Sequence, residues 1–144
     1  MKIRVGVIFG GESVEHEVSI ISAMQAINKL DLEKYEVVPI YITKDREWYT
    51  GEMLRDIEVY QDLSLIKRYA DNVVLYCKDG SYVLQKKNGL FKRVVKEIDI
   101  AFPIVHGTNV EDGVLQGYLQ TIGIPLVGPN VYGAVAGQDK AIMK

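Results

Sequence analysis

The sequence predicts an α/β domain: a Rossmann-like, mostly parallel open sheet flanked by helices, with a small antiparallel meander inserted at about residues 70–97. Three observations carry that expectation. The chain opens with an apolar run, two adjacent glycines and an amphipathic stretch, the strand–turn–helix order of a βαβ unit. Apolar strand-like runs recur at 35–43, 98–105 and 124–127, with a helical period between the last two. Residues 72–97 alternate in polarity around Asp79-Gly80 and Asn88-Gly89, dipeptides that favour tight hairpin turns.

Each element has its own reason. Residues 3–9 alternate and then become continuously apolar, as a strand covered on both faces does, and Gly10-Gly11 ends them. From Ser13 the period lengthens: Val18, Ile21, Met24 and Ile27, followed by Leu30, predict a helix over 13–29 with one apolar stripe. Segment 35–43 (YEVVPIYIT) reads as a second strand, in which Pro39 marks an edge position or a bulge because it has no N–H to donate. A short helix is expected within 57–69, and 98–105 (IDIAFPIV) is the next core strand, closed by His106-Gly107. In 114–123, Val114, Leu115, Tyr118, Leu119 and Ile122 share a helix face, with Gly123 as C-cap. A short strand at 124–127 ends in Gly128-Pro129, and 132–144 reads as the start of another helix.

Composition narrows the function. With 144 residues, 48% apolar and 25% charged, the chain suits one compact domain. Seventeen Lys plus Arg against nineteen Asp plus Glu leave a net charge of −2, which gives no footprint for nucleic acid or an anionic membrane. The single Cys77 forms no internal disulfide, the N-terminus lacks a signal-peptide pattern, and no apolar run approaches 18 residues, so a cytoplasmic protein is expected.

The chemistry is expected where three strands run into glycine, at Gly10-Gly11, Gly107 and Gly128, because in open α/β sheets ligands bind at the carboxyl ends of the strands. A helix beginning near residue 13 would aim unpaired N–H groups at that rim and favour an anion there. Glu15 and Glu17 are explained equally by the same helix end, which stabilises exposed acids by about 0.3–1 kcal/mol each; the sharper alternative has one glutamate facing a ligand ammonium while the amides hold its carboxylate, an arrangement that fits an amino acid. His106 is either a core histidine bonded to a carbonyl or a ligand contact on the same edge. The loop G-G-E-S-V-E lacks the third glycine of a dinucleotide fingerprint, and no P-loop is present. His16, His106 and Cys77 have no metal-ligand spacing, and Cys77 has no histidine partner that would make it a nucleophile. Lys140 and Lys144, one turn apart, suit phosphate if they are not simply solvated.

Three stretches, GGESVEHEVS (10–19), FPIVHGTNVEDGVLQGYLQTIGIPLVG (102–128) and DKAIMK (139–144), closely resemble the N-terminal part of D-alanine–D-alanine ligases of the ATP-grasp superfamily. The resemblance implies a pre-ATP-grasp domain over 1–128, with 129–144 starting a helix that links to an ATP-grasp region absent from these residues. It implies an enzyme that phosphorylates one D-alanine with ATP and Mg²⁺, both bound mainly by that absent region, and joins a second through the acyl phosphate for peptidoglycan. By position, Glu15 matches the glutamate that meets the first D-alanine's ammonium, with the amides around Val18 and Ser19 beside it. His106 matches the histidine near that substrate's carboxylate, and Lys140, with Lys144 on its face, the phosphate contacts; no residue here matches a catalytic group. Val110 stands where the family loop carries glycine, and Ala134 and Gln138 replace its serine and methionine. The 144 residues alone, as a truncation or a proteolytic remnant, are expected to fold without turning over. The other readings are a stand-alone small-molecule-binding module and a structural role in which helix 13–29 supplies a dimer surface around Met24 and Ile27; a homodimer is the expected assembly.

Overall fold

The computed structural model describes residues 2–11, 16–89, 92–104 and 109–127, with side chains in its last stretch at 115 and 117–127. Strands β1 (Ile3–Gly10), β2 (Tyr35–Ile42), β3 (Trp48–Thr50), β4 (Asp71–Lys78), β5 (Ser81–Lys86), β6 (Val94–Ile98) and β7 (Ile100–Ile104) form one seven-stranded sheet in the order β6-β5-β4-β3-β2-β1-β7. Helix α1 (His16–Lys29) follows β1, α2 (Leu63–Tyr69) follows two 3-10 turns at Glu52–Arg55 and Ile57–Gln61, and α3 (Asn109–Ile122) follows β7.

The expectation of a mostly parallel sheet is corrected. β1 pairs in parallel with β2 and β7, but β2 with β3, β3 with β4, β4 with β5 and β5 with β6 are all antiparallel. The molecule is a mixed α/β fold, and residues 70–97 are the continuation of its sheet rather than an appendage. The Asp79-Gly80 turn is as read, both residues having positive φ (53° and 82°), whereas Asn88-Gly89 belongs to a longer connection, since the Lys86 N–H donates to the Arg93 carbonyl and Gln85 pairs with Val94.

Chain connectivity forces the sheet to curl. β6 and β7 lie at opposite ends of the order but are separated in sequence by Asp99 alone. Six strand spacings of about 4.8 Å make roughly 29 Å in a flat sheet, and one residue spans only about 3.4 Å. The antiparallel end therefore folds back over the parallel end. Ile98 lies over β1, where a Cβ on Gly6 would come within 2.7 Å of its Cδ1. Asp99 fastens the corner: its N–H donates to the Arg4 carbonyl (2.8 Å), and its carboxylate accepts from the Arg4 N–H (2.7 Å), Nε (3.1 Å) and Nη2 (3.0 Å). The single strand expected over 98–105 is thus broken at Asp99, each part pairing at a different end of the sheet.

The curl divides the core. Val5, Val7, Phe9, Val37 and Tyr41 face α1, α2 and the 3-10 turns. Ile8, Val38 and Ile40 face the returning strands and α3, with Leu75, Leu84, Ile98, Leu115 and Leu119. Continuous burial from Val5 to Gly10 follows, as the apolar run implied. Pro39 is not on an edge strand, since β2 lies between β1 and β3; its carbonyl accepts from Thr50 Oγ1 (2.8 Å) where β3 stops, so its missing N–H faces the end of a ladder.

The stripe expected on α1 is also corrected. His16, Ser19, Ile20, Ala23, Met24, Ala26 and Ile27 are buried, whereas Val18 (47%) and Ile21 (52%) are exposed. The small Ser19, Ala23 and Ala26 let the helix approach the sheet closely. Gly123 caps α3 at φ 85°, donating to the carbonyls of Leu119 and Gln120. The strand expected at 124–127 is a single parallel bridge from Leu126 to Ala101. The helix expected over 132–144 lies outside the described residues.

Candidate functional site

Parallel pairing puts the carboxyl ends of β1, β2 and β7 on one margin. Phe9 stands beside Ile104, and Gly10 beside Ile42. Leu126, in parallel register with Ala101, heads the same way. The glycine bend after β1 and the end of β7 therefore border a common rim, while Gly107 and Gly128, expected beside them, lie outside the described residues.

Gly10 (φ 97°) and Gly11 (φ 99°) turn the chain there. A Cβ on Gly10 would lie 2.2 Å from the Ile42 carbonyl oxygen and 3.0 Å from the Tyr41 ring, so the turn has room only for glycine. The Gly11 N–H donates to Ile42 O at 2.8 Å, binding the bend to β2.

Ser19 joins the two strand ends. It is fully buried; its Oγ accepts from the Gly10 N–H (2.8 Å) and donates to the Ile104 carbonyl (2.5 Å). One hydroxyl from α1 thus satisfies β1 and β7 at the positions where neither strand has another rung. The first turn of α1 is seated on the rim, and its N–H groups have no partner within the helix, giving the rim a positive end.

His16 opens α1 and is 3% exposed. Its Nδ1 lies 2.5 Å from the Gly11 carbonyl and its Nε2 2.7 Å from the Tyr41 hydroxyl. A carbonyl only accepts, so Nδ1 carries hydrogen, and on a singly protonated ring Nε2 accepts from Tyr41. Tyr41 is fully buried, packed against Phe9 (5.7 Å between ring centroids), His16 (5.4 Å) and Tyr60 (5.1 Å). Burial first, then the charges of Glu17 and Asp45, push its hydroxyl up to about 12. Burial also raises Tyr60, whose hydroxyl donates to Leu54 O at 2.6 Å.

Glu17 behaves as the simpler reading of the acidic cluster requires. Its side chain is exposed, its nearest cation is Lys44 at 3.6 Å, and its carboxyl is held below the usual range first by a bond from its own backbone N–H and then by Lys44.

Of the residues singled out by sequence, the structure brings Val18 and Ser19 to the rim, Val18 with its side chain outward and Ser19 with its hydroxyl spent on the strand ends. Glu15, His106, Lys140 and Lys144 lie outside the described residues. Met24 and Ile27, taken as a dimer surface, are core residues (8% and 4% exposed); the exposed apolar groups of α1 are Val18 and Ile21. Ile21, with Gln25, Asn28, Arg55 and Ile57, borders an open groove. Sequence reading missed the His16–Tyr41 pair. The signal was a tyrosine within the apolar run 37–42 of β2, whose hydroxyl needs a partner when buried.

A mixed α/β sheet whose parallel strand ends meet the amino end of a helix is the class of fold in which ligands, anions above all, are held at the strand ends. The chain belongs, more particularly, to the family described as "D-ala D-ala ligase N-terminus", which matches residues 4–129. It is 44% identical over 144 residues to a D-alanine–D-alanine ligase of Natranaerobius thermophilus and 39% identical over 142 to one of Thermosipho melanesiensis, covering 99% of this chain in each case. Among solved structures, a D-alanine–D-alanine ligase from Coxiella burnetii superposes with a TM-score of 0.69 at 33% identity, covering 90% of this chain and 36% of that one. The VanG D-Ala:D-Ser ligase from Enterococcus faecalis superposes at 0.68 and 32% identity, covering 91% and 37%. The chain spans 38% of the length of the two curated relatives.

Proposed function

We propose that these residues form the N-terminal, first-substrate-binding part of a D-alanine–D-alanine ligase, and that ligation requires the portion of the relatives that this chain does not span. The observation that carries the reading is the rim itself: the strand ends of β1 and β7, fastened by Ser19 under the amino end of α1, occur in a chain that matches such ligases over 99% of its length.

In this reading the first-turn amides of α1 at Val18 and Ser19 help to fix the zwitterion of one D-alanine, Glu15 accepts a hydrogen bond from its ammonium, and His106 lies near its carboxylate. ATP transfers its γ-phosphoryl group to that carboxylate. The amine of a second amino acid then attacks the acyl carbon, and inorganic phosphate leaves. Among the described residues no group of three His, Cys, Asp or Glu could hold a metal ion, so they do not fit Mg²⁺ and no step is assigned to it here. Lys140 and Lys144 are proposed as nucleotide-phosphate contacts. The fold is shared by ligases named for D-Ala–D-Ala and for D-Ala:D-Ser joining; this supports binding of the common D-alanine here and choice of the second partner elsewhere.

No described helix is long and apolar enough to cross a membrane; a cytoplasmic homodimer that supplies dipeptide for peptidoglycan is the setting we propose, with Val18 and Ile21 as the exposed apolar part of its surface. The test is Glu15→Gln in the full-length protein. Loss of a charged hydrogen bond worth about 1.5–3 kcal/mol raises the KM for the first D-alanine roughly 10- to 150-fold; unchanged kinetics would reduce Glu15 to a helix-end acid.

A further inference from the structure

We infer that His16 is a positioning residue: a buried clasp between the Gly11 carbonyl and the Tyr41 hydroxyl that sets where the amino end of α1 meets the substrate. The inference rests on the reading of the rim given above and deepens it.

The geometry is specific. His16 is the first residue of α1, and its imidazole reaches backward to the bend after β1 and sideways to β2. Both ring nitrogens are used, in an environment 3% exposed to solvent. Neither bond belongs to the secondary structure: Gly11 follows the last residue of β1, and Tyr41, next to last in β2, packs its ring into the aromatic cluster with Phe9 and Tyr60. A group needed only to fill space there would be apolar, because a buried imidazole must find a partner for each nitrogen. The ring instead fixes the distance from Gly11 to the start of α1, while Ser19, one turn later, fixes the helix to Gly10 and Ile104. Two successive anchors on one helix end hold its amides at a set angle to the rim.

Substitutions can separate the two bonds. An Asn side chain places an N–H at about the distance of Nδ1 and can keep the Gly11 contact, whereas Gln reaches to about Nε2 and can keep Tyr41. Tyr41→Phe retains the ring packing and removes only the hydroxyl. The experiment compares His16→Ala, His16→Asn, His16→Gln and Tyr41→Phe in the full-length protein by two readouts: KM and kcat for D-alanine, and amide hydrogen exchange of the apo protein over residues 8–18.

The expected result for His16→Ala is a KM for the first D-alanine raised about tenfold or more with kcat within about twofold, together with faster exchange over 8–18 and unchanged exchange in the β4–β5 hairpin. His16→Asn restores most of both, and Tyr41→Phe gives a smaller change in the same direction. Faster exchange with unaltered KM would overturn the positioning role, and unaltered exchange would overturn the clasp. If the wild-type protein forms no dipeptide, the ligase reading fails while hydrogen exchange still decides whether the clasp exists.

Discussion

The two ends of the sheet are built from similar apolar strands but dispose of their strand ends differently. In the antiparallel end each strand returns through a connection of its own, and the Asp79-Gly80 hairpin leaves a finished, exposed turn: a Cβ on Gly80 would meet nothing within 4 Å. In the parallel end β1, β2 and β7 run out on one margin, where backbone groups must be satisfied by something else. Ser19 and His16 supply those partners from α1. A parallel arrangement thus collects strand-end amides and carbonyls at one place, where side chains of another element must meet them.

Substitutions at matched positions sharpen the contrast. The largest effect is expected for Gly10→Ala, which combines a φ of 97° with backbone at 2.2 Å; about 4–5 kcal/mol of stability is lost, measurable as a lowered urea midpoint. Ser19→Ala comes next. It leaves the Gly10 N–H and the Ile104 carbonyl buried without their shared partner, costing about 2–3 kcal/mol by the same measurement. Gly80→Ala has the same sign of φ (82°) but open space around it, and is expected to cost about 1–2 kcal/mol. An equal loss for Gly10→Ala and Gly80→Ala would dissolve the distinction between a packed rim and an open turn.

The smallest effect lies at the corner that joins the two ends. Hydrogen bonding to Arg4 holds the Asp99 carboxyl below the usual carboxylate range, although the side chain is 41% exposed. A depressed carboxylate contributes stability above its unfolded pKa of about 3.9 and loses it as pH falls through the folded value. Because the pair is solvent-screened, Asp99→Asn is expected to cost less than about 1 kcal/mol at pH 7. It should also flatten the fall in stability below about pH 4, read from urea midpoints across pH.

The same contrast governs what the sequence could disclose. Local rules identified β1, β2, the Asp-Gly hairpin and the C-cap at Gly123, because each depends on neighbours within a few residues. The face of α1 was read correctly at Ala23, Met24 and Ile27 but misread in its first turns, because exposed Val18 and Ile21 fall at the same helical spacing, while the buried face there carries Ser19 and His16, polar groups whose partners lie elsewhere in the chain. The corner of the curled sheet is fastened by Arg4 and Asp99, 95 residues apart, and no periodicity reports such a pair. The bend after β1 was legible from Gly10 and Gly11; the way His16 and Ser19 secure it was not.

The most direct test of the account is a titration of the isotopically labelled full-length protein with D-alanine, followed through backbone amide resonances. The account predicts shifts concentrated at Gly10, Gly11, Val18, Ser19 and Ile104, with the Asp79-Gly80 hairpin silent. Shifts confined to the hairpin or to the groove beside Ile21 and Ile57, with the rim unmoved, would contradict it.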